Sequence, residues 1–469
     1  MAVERRVIVP LIVACALFMQ NLDSTALATA LPAIAESLNE TPLRLHLVIT
    51  SFMLSLAAFL PVSGWVADRF GARTIFRLAI AIFTLASIAC GLTDSFETLL
   101  LARVVQGAGG AMMVPVGRLI LVRSVAKSEL ISAMALMGMP ALIGPIIGPL
   151  LAGVLITVAS WRWIFWINVP IGILGIVLVS IFIEDVREPN VKRFDWRGFA
   201  LSSLGLCGTL FGLDALATHH SADPVAIAAL VTGLICMALY VFHARRVDNP
   251  ILDLKLLKFP TFRVSVTGGS FFRIGVGAVP FLLPLMMQQG LGYSPIESGF
   301  ITFVSAAGSL GMRTMSKQVL RRFGFRKVLI WNTLIASFFM ALCGLFSSDS
   351  SRAFMMTVIF LGGVFRSLQF TALNTIAFAE IEGPLMSQAT SFSQMAQRLS
   401  LSFGVAISAF VLFWVGGEGA DMPVQAFATA FVVVGLLSGL SMFSFVKLTA
   451  DAGDEIAGRQ PVRSRRFDA

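Results

Sequence analysis

Long apolar runs follow one another from end to end of this chain, and no other feature constrains it as much. They fall near residues 7–31, 46–67, 75–93, 97–121, 130–157, 164–183, 198–217, 224–243, 264–287, 295–315, 328–346, 353–377, 388–414 and 424–446. A helix needs about 20 apolar residues to cross the hydrocarbon of a bilayer, and each of these runs reaches or approaches that length. Lipid cannot satisfy an unpaired backbone, so such runs fold as helices. Composition agrees: 13% of the 469 residues are charged and mean hydropathy is +0.86. A soluble enzyme, a disordered chain and a disulfide scaffold are excluded, and the fold class is an all-α integral membrane protein of about fourteen helices.

The charges that remain are placed asymmetrically. Every second loop, counted from the N-terminus, gathers about 26 Lys and Arg in all, whereas the intervening loops hold Arg44, Arg162 and Arg352. By the positive-inside rule both termini are cytoplasmic. The net charge of +9 is thus a topology signal and implies no nucleic acid. The loop at Glu380–Ser387 carries two acids and no base, and so departs from the pattern. The basic start, Met1–Arg6, and the apolar run after it also read like a signal peptide. Gln20, Asn21 and Asp23 interrupt that run, which favours a retained first span. The five cysteines all lie in apolar runs without metal-type spacing and read as small buried hydrophobes. His219-His220 fall in a short loop; no metal site is expected.

Two longer charged linkers, Glu184–Arg197 and Ala244–Arg263, bracket two spans. The natural division is therefore a six-helix bundle over 1–185, linkers plus an inserted helix pair over 186–262, a second six-helix bundle over 263–450, and a cytoplasmic tail over 451–469. The bundles carry a faint repeat. Aligning Phe70-Gly71 on Phe323-Gly324 brings Arg69 onto Arg322 and Arg73 onto Arg326, while Asp68 meets Arg321. Pseudo-repeated halves are a common way to build secondary transporters.

The loop Gly64…Asp68-Arg69-x-Gly71-x-Arg73 resembles the commonest motif of the major facilitator superfamily. Gly64 lets helices approach, and Asp68 can cap a helix or pair with Arg to latch one conformation. In the fifth span, Gly144-Pro145 and Gly148-Pro149 resemble that superfamily's antiporter motif, whose usual form has Gly where Pro149 stands. Gly144 and Gly148 make a small-xxx-small face and the prolines kink the helix. The segments at Trp161–Gly172, Phe194–Gly198 and His243–Leu257 resemble the fourteen-span drug:proton antiporter branch, and the chain as a whole resembles the Mdt-type multidrug exporters of bacterial inner membranes. The resemblance implies two six-helix bundles rocking about a midplane cavity, with export of small molecules in exchange for protons. Uptake by proton symport is the alternative direction. It implies no cofactor beyond the coupling proton, and no partner beyond the small-molecule substrate and the bilayer. Nothing in the sequence demands a second copy, and there is room for accessory periplasmic proteins.

Residue by residue, Asp23 lies about 15 Å before the outer end of span one and Arg103 about 10 Å past the start of span four, so the two can face each other. The resemblance assigns this pair to proton coupling. Gln106 follows one turn after Arg103. Arg273, Arg366 and Arg398 lie near the middle of spans nine, twelve and thirteen, each about 16–18 Å from one face. An arginine at such depth needs a partner. These three, with Gln106, Gln369 and Asn374, are the candidate substrate-binding residues, and they suit an organic anion such as citrate or a metal-citrate. The opposing reading is that Gln369, Asn374, Gln394, Gln397 and helix carbonyls satisfy the arginines internally. Neither a catalytic triad, a zinc-protease signature nor a phosphate loop is present in the sequence, so no enzyme activity is expected.

Overall fold

The computed structural model describes residues 2–40, 42–184, 193–219, 224–293, 295–381, 385–416 and 423–459. The helices in chain order are α1 (Ala2–Leu38), α2 (Pro42–Phe59), α3 (Ser63–Phe70), α4 (Ala72–Gly91), α5 (Phe96–Ser124), α6 (Leu130–Val158), α7 (Trp163–Trp166), α8 (Asn168–Phe182), α9 (Trp196–His219), α10 (Pro224–Arg246), α11 (Pro260–Leu285), α12 (Pro295–Phe323), α13 (Phe325–Leu342), α14 (Arg352–Ile376), α15 (Met386–Gly416), α16 (Val424–Leu440), α17 (Met442–Phe445) and α18 (Asp454–Ala457). No strand occurs among the described residues.

Twelve spans among the described residues are long and apolar enough to cross a membrane. Three of them join two helices end to end: α2 with α3, α7 with α8, and α16 with α17. Two more helices, α6 and α12, are each 29 residues long, or about 44 Å at 1.5 Å per residue. They bring the number of membrane-length helical stretches to the fourteen expected. The sequence of α6 contains no charged residue, whereas α12 is the most polar of the membrane-length helices, with Glu297, Arg313, Lys317, Arg321 and Arg322. The side chains of Pro145, Pro149, His219 and His220 lie outside the described residues, as do 185–192 of the first linker.

The chain divides into two compact units. Unit 1 comprises residues 1–124, 136–254 and 383–399; unit 2 comprises 125–135, 255–382 and 400–469. The inserted pair therefore groups with the first bundle. In unit 1, α9 packs on α2 through Ser203 Oγ to Ala58 O at 2.6 Å and Cys207 Sγ to Leu54 O at 3.3 Å. Its partner α10 packs so tightly that a Cβ on Gly233 would strike the backbone nitrogen of Thr209, and one on Gly208 would stand 2.8 Å from Ala229 O. The linkers are tied as well. Asp195 accepts from Gly198 N and from His243 Nε2, both at 2.8 Å, and from Ile251 N at 3.3 Å.

In unit 2, α12 and α14 lie side by side, with Ser309 Oγ donating to Gly363 O at 3.0 Å and Ser367 Oγ to Ser309 O at 2.8 Å. The acidic loop that departed from the charge pattern has a structural use. Glu380 Oε2 accepts from Thr261 N at 3.0 Å and Thr261 Oγ1 at 2.8 Å. It thus caps the first turn of α11, where the helix dipole favours an anion.

Candidate functional site

The site in unit 1 begins with glycines. Along α5 the run Gln106-Gly107-Ala108-Gly109-Gly110 lets the helix backbone come against its neighbours. A Cβ at Gly107 would sit 2.6 Å from Phe52 O of α2, and one at Gly109 would sit 2.8 Å from Phe83 N of α4. This closeness seals the helix interface, and Arg103 and Gln106 are both fully buried.

Asp23, 1% exposed, meets them from α1. Arg103 Nη1 donates to Asp23 Oδ2 at 2.6 Å and to Gln106 Oε1 at 2.5 Å. Gln106 Nε2 donates to Asp23 Oδ1 at 3.0 Å and to Ser87 Oγ at 2.7 Å. Asn168, at the start of α8, donates from Nδ2 to Asp23 Oδ1 and to Ser87 Oγ, both at 3.3 Å. The guanidinium carbon lies 4.4 Å from the centre of the Phe52 ring and 5.9 Å from that of Phe165. The two candidates for proton coupling are thus one closed ion pair. Gln106, grouped by sequence with the substrate residues, is its third member. Asp23 thus accepts from three side-chain donors, two on α5 and one on α8.

Helix α6, which carries Gly144 and Gly148, reaches the same place. A Cβ on Gly144 would come within 3.0 Å of Asn21 Cβ, and one on Gly148 would collide with Thr25 Oγ1. Asn21 and Thr25 bracket Asp23 on α1, so the small-residue face of α6 lies against the turn that carries the carboxylate.

The residues of the Gly64–Arg73 loop, candidates for a latch, also lie in unit 1. Asp68, at the end of α3, accepts from Arg123 Nη2 at 3.1 Å and from Ser387 Oγ. Gly64 lies beside Ser387 O, 2.8 Å from its would-be Cβ, and Ser63 Oγ is 2.9 Å from Ser391 Oγ. Gly71 turns the chain at φ 93°, and Arg73 Nη2 donates to Ser180 O at 2.5 Å. Arg69 is exposed.

Among the substrate candidates, Arg273, Arg366, Gln369 and Asn374 belong to unit 2, whereas Arg398 belongs to unit 1. Arg273, 1% exposed, donates to Ser265 O at 2.8 Å and to Asn374 Oδ1 at 3.2 Å. Arg366 Nη2 donates to Ser305 Oγ of α12 at 2.6 Å. Gln369 does not serve Arg366. It binds Asn332 Nδ2 at 2.8 Å, Thr333 Oγ1 at 2.5 Å and Leu329 O at 3.1 Å. Gln394 serves a different arginine, with its amide carbonyl accepting from both Nη atoms of Arg118 at 2.9 and 2.8 Å.

The sequence does not single out Ser87, Arg118, Ser305 or Arg313, and Asn168 enters it only within the segment Trp161–Gly172. One signal was visible: Arg-x-x-Gln recurs in the fourth helix of each half, as Arg103…Gln106 and Arg366…Gln369. In the first copy the arginine meets a carboxylate; in the second it meets a hydroxyl.

The sequence matches the profile of the Major Facilitator Superfamily over residues 13–262 and 265–466. It is 38% identical over 458 residues to the protein named "Putative multidrug resistance protein MdtD" of Escherichia coli (strain 55989 / EAEC), covering 97% of each chain. The protein of the same name from Shigella sonnei (strain Ss046) is also 38% identical over 97% of each chain. Among solved structures, the human organic anion transporter MFSD10 (TETRAN) superposes with a TM-score of 0.68 at 16% identity, covering 94% of this chain and 99% of that one. The proton:xylose symporter XylE bound to 6-bromo-6-deoxy-D-glucose superposes at 0.64 with 12% identity, over 98% and 99%.

Proposed function

Since this chain belongs to the major facilitator superfamily, and is therefore a multi-pass membrane transporter, we propose that it is a proton-coupled antiporter that exports small molecules by alternating access, with both termini in the cytoplasm of a bacterial inner membrane. The observation that carries this reading is Asp23, an enclosed carboxylate held by Arg103, Gln106 and Asn168. A proton on Asp23 removes the charge that holds Arg103 and turns one acceptor oxygen into a donor, set against Arg103 at Oδ2 or against Gln106 and Asn168 at Oδ1. Protonation and rearrangement of α1 against α5 then become one event. The glycine face of α6 lies against that turn of α1, so the same movement reaches the helix that resembles the antiporter motif. The name of the Escherichia coli relative fits export of drugs.

A second reading of the substrate is an organic anion, citrate-like or a metal-citrate. It is favoured by Arg366, whose hydrogen-bond partner is the neutral Ser305 hydroxyl where Arg103 in the other half has Asp23. An incoming carboxylate suits such a guanidinium bidentately. The name of the human structural neighbour points the same way.

The test is proton movement in liposomes holding the purified protein, on addition of a panel of organic anions and a panel of lipophilic cations, with Asp23→Asn alongside. A pH response to a substrate that vanishes in Asp23→Asn is expected. A response that survives the substitution overturns the coupling role. A response to lipophilic cations alone overturns the anion reading. The symporter alternative fails if flux in inverted vesicles runs against the proton gradient.

A further inference from the structure

The second copy of the glycine loop lacks the acid that Asp68 supplies in the first, and Arg321 stands in its place. Both copies turn at a glycine of positive φ, Gly71 at 93° and Gly324 at 77°, and each glycine precedes a helix, α4 and α13. What lies against the second turn comes from beyond the last span. Asp454 of α18 has Oδ1 4.0 Å from where a Cβ of residue 324 would stand, and its side chain is 6% exposed. The Arg459 guanidinium, paired with Asp454 at 3.6 Å, fills the space a Cβ at 324 would take. Gly453 rests on the Phe325 ring, and Leu448, Ile456 and Ala457 are buried. This segment is seated chain. Its acid lies at the start of α13, where the helix field favours a negative charge.

The same short helix also holds a piece of the α5–α6 connection. Glu455 pairs with Lys127 at 3.2 Å, and Lys317 of α12 pairs with Glu129 at 2.9 Å. Lys127 and Glu129 end a single 3₁₀ turn between α5 and α6. Residues 125–135 belong to unit 2, although α5 itself carries Arg103 and Gln106 in unit 1. The Lys127 and Glu455 side chains are 36% and 72% exposed. Ion pairs this open are individually weak, which suits contacts that break and re-form.

We propose that residues 448–459 are a cytoplasmic clasp. Asp454 takes the place of the acid missing from the second loop, and Glu455, with Lys317, holds the α5–α6 connection, which is released once in every transport cycle. The inference rests on the alternating-access reading above, in which one bundle rocks against the other.

The full chain carrying Lys127→Cys and Glu455→Cys tests it. In liposomes the pair is joined with a cleavable bifunctional methanethiosulfonate, and transport is measured before and after reductant, with each single substitution as control. Joined protein should lose at least about tenfold of its turnover and regain it on reduction. Joined protein that keeps half its rate or more overturns the clasp. Spin labels at the same two positions give a readout that needs no substrate: two distance populations, docked and released, are expected, and one short distance under every condition overturns release. Absence of transport before joining counts against the transporter reading instead, and the spin-label distances still decide the clasp. For Asp454, the Asp454→Asn variant should transport more slowly, and adding Arg321→Asp should restore the rate. Slow transport in the double variant, with an unchanged melting temperature, overturns the substitute-acid role.

Discussion

If Asp23 and Arg103 are one buried ion pair, the cost of removing each depends on whether the other is present. In Asp23→Asn the guanidinium stays fully buried over Phe52 and loses its full counter-charge, keeping the Gln106 carbonyl and a 3.4 Å contact to Val48 O. Breaking a buried pair in this way costs about 3–5 kcal/mol. In Arg103→Gln the carboxylate keeps its bonds from Gln106 and Asn168 at 3.0 and 3.3 Å, so the expected loss is about 2–4 kcal/mol. The double variant buries two neutral amides that can bond each other and Gln106, and should lose only about 1–3 kcal/mol. The singles thus sum to about 5–9 kcal/mol, and the coupling energy is about 2 kcal/mol or more, far above the roughly 0.5 kcal/mol of independent sites. Equilibrium unfolding in mixed micelles, followed by far-UV circular dichroism, measures all four proteins without requiring transport. Additivity within about 0.5 kcal/mol would refute the ion pair and, with it, the argument that protonation must move Arg103.

Three further outcomes are expected. Gly71→Ala and Gly324→Ala each place a side chain at positive φ and should cost about 1–3 kcal/mol in the same unfolding assay; Gly153→Ala, with open space around it, should be neutral or stabilising by up to about 1 kcal/mol. Asp68→Asn retains size but loses the charge opposite Arg123, so turnover should fall by about tenfold with apparent substrate affinity changed less than about twofold; a change in affinity alone would contradict a latch. Gly233→Leu drives a side chain into the α9 backbone and should destabilise by more than about 2 kcal/mol, read as faster proteolysis of the two linkers.

The sequence displayed most of the architecture because membrane spans are written in hydropathy alone. Span boundaries mostly agree within a few residues, the largest departure being at the end of α12, which runs to Phe323 past the apolar stretch ending near 315. The Asp23–Arg103 pairing was legible because two ionisable groups at matching depth have few other solutions in lipid. Asn168 was not, because an amide at the head of a helix beside tryptophans reads equally well as an interfacial anchor. The partners of the arginines were hidden for a different reason. Hydropathy places a residue along its own helix but not around it, so nothing in the order of residues assigns Gln394 to Arg118 or Ser305 to Arg366. The docking of α18 was also invisible, since a short polar segment after the last span looks like any solvated tail.

The polarity of α12 bears on how the chain is made. An arginine in a membrane helix raises the cost of insertion, by about 2.5–3.5 kcal/mol at the centre and by less toward an end, and Arg313 adds part of that burden to a helix already rich in serine and threonine. Its main neighbour, α14, which supplies Arg366 to Ser305 and takes Ser309 onto Gly363 O, is synthesised two helices later. At the translocon, α12 therefore has to wait in a protein-lined setting until α13 and α14 have emerged. Nascent chains halted just after α12 should leave that segment extractable by alkaline carbonate, and chains halted after α14 should not.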